Sequence, residues 1–252
     1  MTYTEPTFDL SIVIPCYNEA ARLPRTLKHT IHFLERRSGI NEIVVVSDGS
    51  KDRTARIAEI IFESLPETIR GRAIEYTPNA GKGNAVKVGM RAAQGSRILF
   101  MDADYAVPLE DLEIAESLLD NGYDIAIGSR ALEETKIVEH QSFIRERLAK
   151  LFGFIQRNYL GLKIKDTQCG FKLFTRAAAH RVFAHVKLTS VIFDGEMLWL
   201  AKRMKFRVKE FPVEWTHDPD TRITYNLWRA FKVFLDMLVI PFIHIDRRTW
   251  NK

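Results

Sequence analysis

Two aspartates one residue apart follow an apolar run in the middle of the chain. The run covers residues 98–101, and Asp102 and Asp104 come directly after it. Neighbouring carboxylates repel each other, and a divalent cation relieves that repulsion. Because carboxylate oxygens are hard ligands, Mg²⁺ or Mn²⁺ is favoured over zinc. The pair therefore indicates a metal site that clamps a diphosphate and stabilises it as a leaving group. The alternative is a solvated turn whose aspartates cap a helix near Pro108.

A glycine-rich turn with a lysine, "NAGKGNAV", begins at residue 79. It is not a P-loop, because Tyr76 stands where the first glycine is needed and Gly83 replaces the Ser or Thr after Lys82. It is not a dinucleotide fingerprint, because Val86 occupies the third glycine position. Two interpretations remain: a plain glycine-rich helix start, or an anion site built from backbone N–H groups and Lys82.

Both motifs lie where apolar strands alternate with helices. Strands that are apolar along their length favour a parallel sheet with helices on both faces, so the predicted fold class is α/β. In such sheets ligands bind beyond the carboxyl ends of the strands. The predicted strands lie within residues 10–14, 42–50, 72–76, 97–104 and 123–130. Polar clusters follow them and are expected to form one site: Tyr17 to Glu19, Asp48, Asn79 to Lys82, Asp102 to Asp104, and Ser129 with Arg130.

Composition limits the partner and the compartment. The 252 residues are 46% hydrophobic and 27% charged with a formal net charge of +5, which suits a globular core and an anionic partner. The two cysteines form no disulfide or zinc pattern, and the first ten residues do not resemble a signal peptide, so a cytoplasmic location is expected. Without aromatic and basic residues interleaved on strands, no nucleic-acid partner is expected.

The second half of the chain is predicted to contain two amphipathic helices. Residues 131–141 are polar and aperiodic, which predicts a mobile loop, whereas residues 143–162 and 226–240 carry apolar stripes. The stripes comprise Leu148, Leu151, Phe152 and Ile155, and then Leu227, Phe231, Phe234, Leu235 and Leu238. Such helices usually face their own core. Their basic flanks and the closing "IDRRTWNK" leave contact with a membrane surface as the alternative.

Five stretches in order carry a resemblance to a known family: "SIVIPCYNEA", "VVVSDGSKDRT", "NAGKGNAVKVGM", "MDADYAVPLEDL" and "DTQCGFKLF". Together they resemble the inverting family 2 glycosyltransferases, which have a Rossmann-like GT-A fold. The "GKGNAV" segment, and "DTQCGFKLF" followed by "FDGE", favour the dolichyl-phosphate (polyprenyl-phosphate) β-glucosyltransferases. The resemblance covers about residues 8–240 and implies one domain over residues 1–252, with a nucleotide-sugar half (8–130) and an acceptor half (131–252).

The resemblance also implies roles for individual residues. Asp102 and Asp104 would hold the metal and the donor diphosphate, and Asp104 and Asp194 would be catalytic. His217 is a further candidate metal ligand, or a surface histidine beside Asp218. The remaining donor-binding residues would be Pro15, Tyr17 and Glu19 around the nucleotide, Asp48 at the base, Lys82 near base or phosphate, and Arg222 at the phosphate.

The acceptor decides what Asp194 must do. A sugar hydroxyl needs a general base, so Asp194 would have to deprotonate it. A lipid phosphate is already anionic and needs only positioning, so Asp194 would orient rather than abstract. In that case the acceptor-binding residues would be Arg130, Arg145, Arg147 and Gln168.

The resemblance thus implies a Mg²⁺- or Mn²⁺-assisted glycosyltransferase that moves glucose from UDP-glucose to a polyprenyl or dolichyl phosphate and contacts the membrane surface peripherally. The enzymatic alternatives are hexose transfer to a soluble or protein hydroxyl, and GDP-mannose-dependent transfer to a polyprenyl phosphate. The non-enzymatic alternative is a module that binds a nucleotide sugar or an anionic lipid.

Overall fold

The structure is a computed structural model that describes residues 7–137, 143–216 and 227–245, without the side chains of residues 137, 143–150 and 227–230. The strands are β1 (Phe8–Cys16), β2 (Asn41–Asp48), β3 (Ile69–Tyr76), β4 (Gly95–Met101), β5 (Ile125–Ser129), β6 (Lys136–Ile137), β7 (Phe171–Thr175), β8 (Val208–Pro212) and β9 (Glu214–Trp215). The helices are α1 (Leu23–Glu35), α2 (Thr54–Phe62), α3 (Lys82–Ala92), α4 (Leu112–Asp120), α5 (Phe143–Leu160), α6 (Arg176–His185), α7 (Phe193–Arg203) and α8 (Leu227–Ile243).

A seven-stranded sheet has the strand order β3-β2-β1-β4-β7-β5-β8. Its neighbouring strands run parallel, except that β7 is antiparallel to both β4 and β5. The prediction of an α/β fold with a mostly parallel sheet is therefore confirmed. The interruption by β7 was not predicted, and it places a strand from the second half of the chain beside β4.

The sequence predicts a mobile loop over residues 131–141, but the structure shows that this segment is not entirely loop. It contains β6, which pairs in parallel with β9 in a separate two-stranded sheet. Residues 138–141 lie outside the part of the chain that the structure describes.

Two apolar layers cover the sheet because side chains alternate between its faces. In β1, Ile12 and Ile14 join a cluster with α1, α2 and α4, whereas Val13 joins a cluster with α3, α6 and α7. Both cysteines are free and buried, as expected for small packing residues. The apolar strands therefore form the rigid centre of the molecule, and the polar strand ends lie at its edge.

The two amphipathic helices are present as α5 and α8, but their apolar stripes do not all face the core. Leu160 of α5 and Met237 and Ile240 of α8 are buried in the cluster with α7. Exposed apolar side chains remain on both helices: Leu151, Phe154, Ile155 and Tyr159 on α5, and Phe231, Leu235, Val239 and Phe242 on α8. The helices are joined where the Tyr159 hydroxyl donates to the Leu238 carbonyl at 2.8 Å. Across the described residues, no helix is both long enough and apolar enough to cross a bilayer.

Candidate active site

Three neighbouring strands bring the predicted site residues to one edge of the sheet. Tyr17 follows β1, Asp48 ends β2, and Asp102 follows β4. Because β2, β1 and β4 are adjacent and parallel, their carboxyl ends meet at the same edge. Helix α3 begins at Lys82, which reaches Asp102 at this edge. The sheet order therefore assembles a site from residues far apart in sequence.

Asp102 lies between an ammonium group and a glycine. Its Oδ1 is 2.7 Å from the Nζ of Lys82, in an ion pair whose side chains are 34% (Lys82) and 30% (Asp102) exposed. Its backbone N–H donates to the Gly170 carbonyl at 3.0 Å, and a Cβ on Gly170 would overlap the Asp102 carboxylate. Burial alone would lower the pKa of Lys82, but Asp102 and Asp194 raise it above its ordinary value. Lys82 is therefore a protonated cation beside the acidic pair.

Asp104 has weaker compensation for its charge. Its Oδ1 accepts a hydrogen bond from the Ala106 backbone N–H at 3.2 Å. Burial raises the pKa of Asp104, and the neighbouring Asp102 carboxylate raises it further. Both effects disfavour the ionised form, and an added cation would relieve both.

The donor set at this edge fits a magnesium or manganese ion that shares its ligands with a substrate. Mg²⁺ is commonly bound by one or two carboxylates, with water and substrate phosphates completing its coordination. Asp102 and Asp104 supply two such carboxylates. No group of three or more His, Cys, Asp or Glu side chains that could hold a metal occurs in the described residues. A diphosphate or water could complete the coordination of a cation held here, and His217, which lies outside the described residues, stays a predicted ligand.

Asp194, the predicted catalytic carboxylate, lies in the first turn of α7 and is only 3% exposed. Its Oδ1 is 2.6 Å from the Nζ of Lys172, whose side chain is fully buried. Burial raises the pKa of Asp194, and Lys172 and Lys82 oppose that rise. The structure thus places Asp194 near the donor-side charges, but a lysine holds it away from solvent.

Asp48 organises the glycine-rich turn that precedes α3. It is 2% exposed, and its oxygens accept hydrogen bonds from the Asn79 side chain and from the Ala80 and Gly81 backbone N–H groups at 2.8–2.9 Å. Gly81 has φ 99°, a conformation that L side chains rarely adopt, and a Cβ there would also meet the Thr189 carbonyl. Asp48 therefore fixes the turn that places Lys82, and its predicted contact with the base stays a prediction.

The three residues predicted to line the nucleotide pocket differ in exposure. Pro15 is buried inside β1, whereas the Tyr17 side chain is 42% exposed. Glu19 is 8% exposed, and Arg22 donates to both of its carboxylate oxygens at 2.7 Å. Of the three, Tyr17 presents the most accessible surface for a ligand.

Arg130, predicted to bind the acceptor, is held by a carboxylate that was not predicted. Its Nε and Nη2 donate to the two oxygens of Asp166 at 2.7 and 3.0 Å, and its backbone N–H donates to the same carboxylate. The guanidinium lies 5.6 Å from the centre of the Trp215 ring, and the side chain is 31% exposed. Gln168 follows in the same loop, and its Nε2 is buried without a hydrogen-bond partner. Arg130 and Gln168 are therefore brought to one region, beside the segment that contacts Asp102.

Four predicted site residues cannot be placed in this way. Arg145 and Arg147 belong to α5, but their side chains are outside the described part of the structure. His217 and Arg222 lie outside the described residues altogether. Their roles in metal, donor and acceptor binding stay predictions.

Lys172 and Asp166 are the site residues that the sequence reasoning missed. Both lie in "DTQCGFKLF", a stretch that carries the family resemblance but contains too short an apolar run to predict a strand by itself. A single lysine between apolar residues in "GFKLF" is the signal that could have revealed Lys172, because a charged residue in a central strand needs a buried partner.

Comparisons with known proteins identify the family of the chain. Residues 11–183 match the sequence family described as "Glycosyl transferase family 2". The chain is 38% identical over 248 residues to a dolichyl-phosphate beta-glucosyltransferase of Drosophila melanogaster, covering 93% of this chain and 75% of that protein. It is 35% identical over 249 residues to a dolichyl-phosphate beta-glucosyltransferase of Homo sapiens, covering 94% of this chain and 76% of that protein.

Solved structures support the fold at lower identity. Glucosyl-3-phosphoglycerate synthase from Mycobacterium tuberculosis, in complex with Mn²⁺, UDP-Glc and glycerol 3-phosphate, gives a TM-score of 0.64 at 14% identity, covering 94% of this chain and 80% of that one. TarS 1–349 from S. aureus in complex with UDP gives a TM-score of 0.59 at 17% identity, covering 92% of this chain and 65% of that one. The expected GT-A fold is therefore confirmed. Since the family match spans most of the chain, this protein belongs to glycosyl transferase family 2.

Proposed function

We propose that this glycosyltransferase moves glucose from UDP-glucose onto a dolichyl or polyprenyl phosphate, with inversion and with the help of Mg²⁺ or Mn²⁺. The observation that carries the proposal is the pair Asp102 and Asp104 beside the Lys82 ammonium at the carboxyl edge of the sheet. The dolichyl-phosphate beta-glucosyltransferases that resemble the chain over more than nine-tenths of its length support this acceptor and this sugar.

The carboxyl edge of the sheet, where Asp102 and Asp104 lie, suits a nucleoside diphosphate donor. Asp102 and Asp104 would hold the divalent ion, which when bound supplies positive charge that stabilises the departing diphosphate. Lys82 is close enough to donate to the same phosphates, since its Nζ already contacts Asp102. The structural neighbour solved with Mn²⁺ and UDP-Glc supports this choice of ion and donor.

The state of Asp194 favours a phosphate acceptor over a hydroxyl. A general base must reach the proton it removes, and the Asp194 carboxylate is almost fully buried and paired with Lys172. A phosphate acceptor is already anionic and needs no base. Arg130 is partly exposed and rigidly held by Asp166, so it is positioned to receive that phosphate.

A lipid acceptor also requires the site to meet a membrane surface. Helix α5 contacts the acceptor side of the site, because its Gln156 accepts a hydrogen bond from Thr167 at 2.6 Å. The outward side of α5 and the adjoining α8 carry the exposed apolar side chains described above. We infer that α5 and α8 bind the membrane peripherally and bring the lipid phosphate to Arg130.

Donor binding and transfer can be measured separately. At 100 times its Kd a ligand stabilises the folded state by about 2.7 kcal/mol, which corresponds to a rise of about 5–10 °C in Tm for a chain of this size. We expect that rise with UDP-glucose plus Mn²⁺, and none with GDP-mannose. Radiolabelled UDP-glucose and dolichyl phosphate in detergent micelles should then give a lipid-linked glucose. A shift with GDP-mannose alone would overturn the donor, and glucose appearing only on a hydroxyl acceptor would overturn the acceptor.

A further inference from the structure

Strand β7 carries a lysine whose side chain is inside the protein. Lys172 has no exposed surface, and it alternates with Phe171 and Leu173, which point into the opposite apolar layer. A buried ammonium loses its hydration, so it is retained only where specific partners compensate. The proposed function uses this lysine only as the partner that keeps Asp194 from acting as a base.

Three parts of the fold hold the Lys172 ammonium. Its Nζ donates to Asp194 Oδ1 at 2.6 Å and to the Cys169 carbonyl, and it lies 5.5 Å from the centre of the Phe100 ring. The Phe100 ring is also 5.6 Å from the Nζ of Lys82. Contacts from α7, from the segment before β7 and from β4 therefore fix the ammonium in one position.

The partners of Lys172 belong to two sides of the site: the donor side, which contains Lys82 and Asp102, and the acceptor side, which contains Arg130. The Cys169 carbonyl is in the segment that runs from Asp166, which holds Arg130, to Gly170, which lies against Asp102. Asp194 is on the donor side, where it interacts electrostatically with Lys82. Lys172 thus connects the acceptor-side segment to the donor-side carboxylate.

We propose that Lys172 is a positioning residue, which keeps the Asp194 carboxylate paired so that Lys82 stays available to Asp102 and to the donor diphosphate. The inference rests on the proposed function, because it assumes that Lys82 meets that diphosphate. The titratable and charged groups that act on Asp194 are Lys172, Lys82 and Asp102. Lys82, whose ammonium lies over the same Phe100 ring, is the other lysine that acts electrostatically on Asp194. Without Lys172, Asp194 would draw Lys82 away from the phosphates.

A double-mutant cycle separates this role from a purely structural one. Lys172→Met should weaken binding of UDP-glucose about tenfold, because one charge-assisted contact to the phosphates is lost. The same substitution in an Asp194→Asn background should change the Kd less than about twofold, since Asp194 no longer has the charge that captures Lys82. Isothermal calorimetry with UDP-glucose and Mn²⁺ gives both ratios on folded protein.

A control variant shows whether a loss of stability alone changes binding of UDP-glucose. Glu42→Gln breaks another buried charged network, with Ser11, Gln94 and Arg72, at the opposite edge of the sheet. It should lower the Tm without changing the Kd for UDP-glucose. If Lys172→Met does not fold, Asp194→Asn is compared directly with the Lys172→Met/Asp194→Asn double variant, and the inference requires Kd values that differ less than about twofold.

The outcomes distinguish this inference from the proposed function. Wild-type protein that binds no UDP-glucose contradicts the proposed donor, and with it the premise about Lys82. Wild-type protein that binds and transfers, together with a Lys172→Met effect of the same size in both backgrounds, overturns the positioning role alone. An effect confined to the background with intact Asp194 supports it.

Discussion

Replacing Lys82 with methionine should change metal binding and donor binding in opposite directions. In the structure the Lys82 ammonium is paired with Asp102, one of the two carboxylates proposed to hold the metal. An incoming Mn²⁺ must compete with that ammonium for Asp102. The donor diphosphate, in contrast, gains a positive partner from Lys82. Lys82→Met keeps an unbranched side chain, one atom shorter, and removes the ammonium with its charge and its hydrogen-bond donors.

The size of the effect on the metal follows from the exposure of the ion pair. With side chains 34% and 30% exposed, the pair is well screened by solvent, so it stabilises Asp102 by at most about 1 kcal/mol. Repulsion between the ammonium and a nearby divalent ion in high dielectric, reduced by screening in salt, adds about 1 kcal/mol more. Lys82→Met should therefore bind Mn²⁺ alone about 5- to 30-fold more tightly than the wild type.

The affinity for the donor should change in the opposite direction. Hydrogen bonds to charged groups contribute about 1.5–3 kcal/mol, so losing the lysine should weaken binding of UDP-glucose in saturating Mn²⁺ about 10- to 100-fold. Calorimetry for UDP-glucose, and electron paramagnetic resonance of free Mn²⁺ for the metal, measure the two constants independently. Lys87→Met, on the same helix, is the matched control and should change neither. Weaker Mn²⁺ binding in Lys82→Met, or unchanged donor affinity, would refute the placement of metal and diphosphate at this edge.

Three further predictions test neighbouring parts of the site. Asp194→Asn should lower kcat less than about tenfold with a phosphate acceptor, and a loss above about a thousandfold would instead identify a general base. Gly170→Ala should weaken Mn²⁺ binding at least about tenfold, because the new Cβ displaces the Asp102 carboxylate. Gly153→Ala should not, because its new Cβ would meet only the flexible Arg157 side chain, at 3.4 Å. Burial alone would raise the pKa of Asp166, but its arginine partner lowers it below the ordinary value. The ion pair of Asp166 therefore contributes its full stabilisation above about pH 4. This stabilisation is lost as the pH falls through the pKa of Asp166 in the folded state, which lies below the ordinary value. Asp166→Asn should cost about 2 kcal/mol at pH 7 and progressively less below pH 4 in urea unfolding, and an equal cost at pH 7 and pH 3 would contradict this ion-pair origin.

The sequence by itself determined the local elements and the edge at which the site forms. Uniformly apolar strands such as residues 98–101 identify a parallel sheet, because both faces of each strand must be covered. A strand that passes directly into Asp102 and Asp104 also fixes where the carboxylates lie, since neighbours along the chain cannot be far apart in space. Lys82 at the start of a helix was predictable for the same local reason.

Only the tertiary structure decided which distant residues meet these groups. The antiparallel insertion of β7 beside β4 brings Gly170 against Asp102 and Lys172 against Asp194. Contacts between residues far apart along the chain depend on strand order, which follows from packing the whole core and leaves no local period in the sequence. The outward direction of the apolar side chains on α5 and α8 has the same origin. Helical spacing predicts that an apolar stripe exists, but the available core surface decides how much of the stripe is covered.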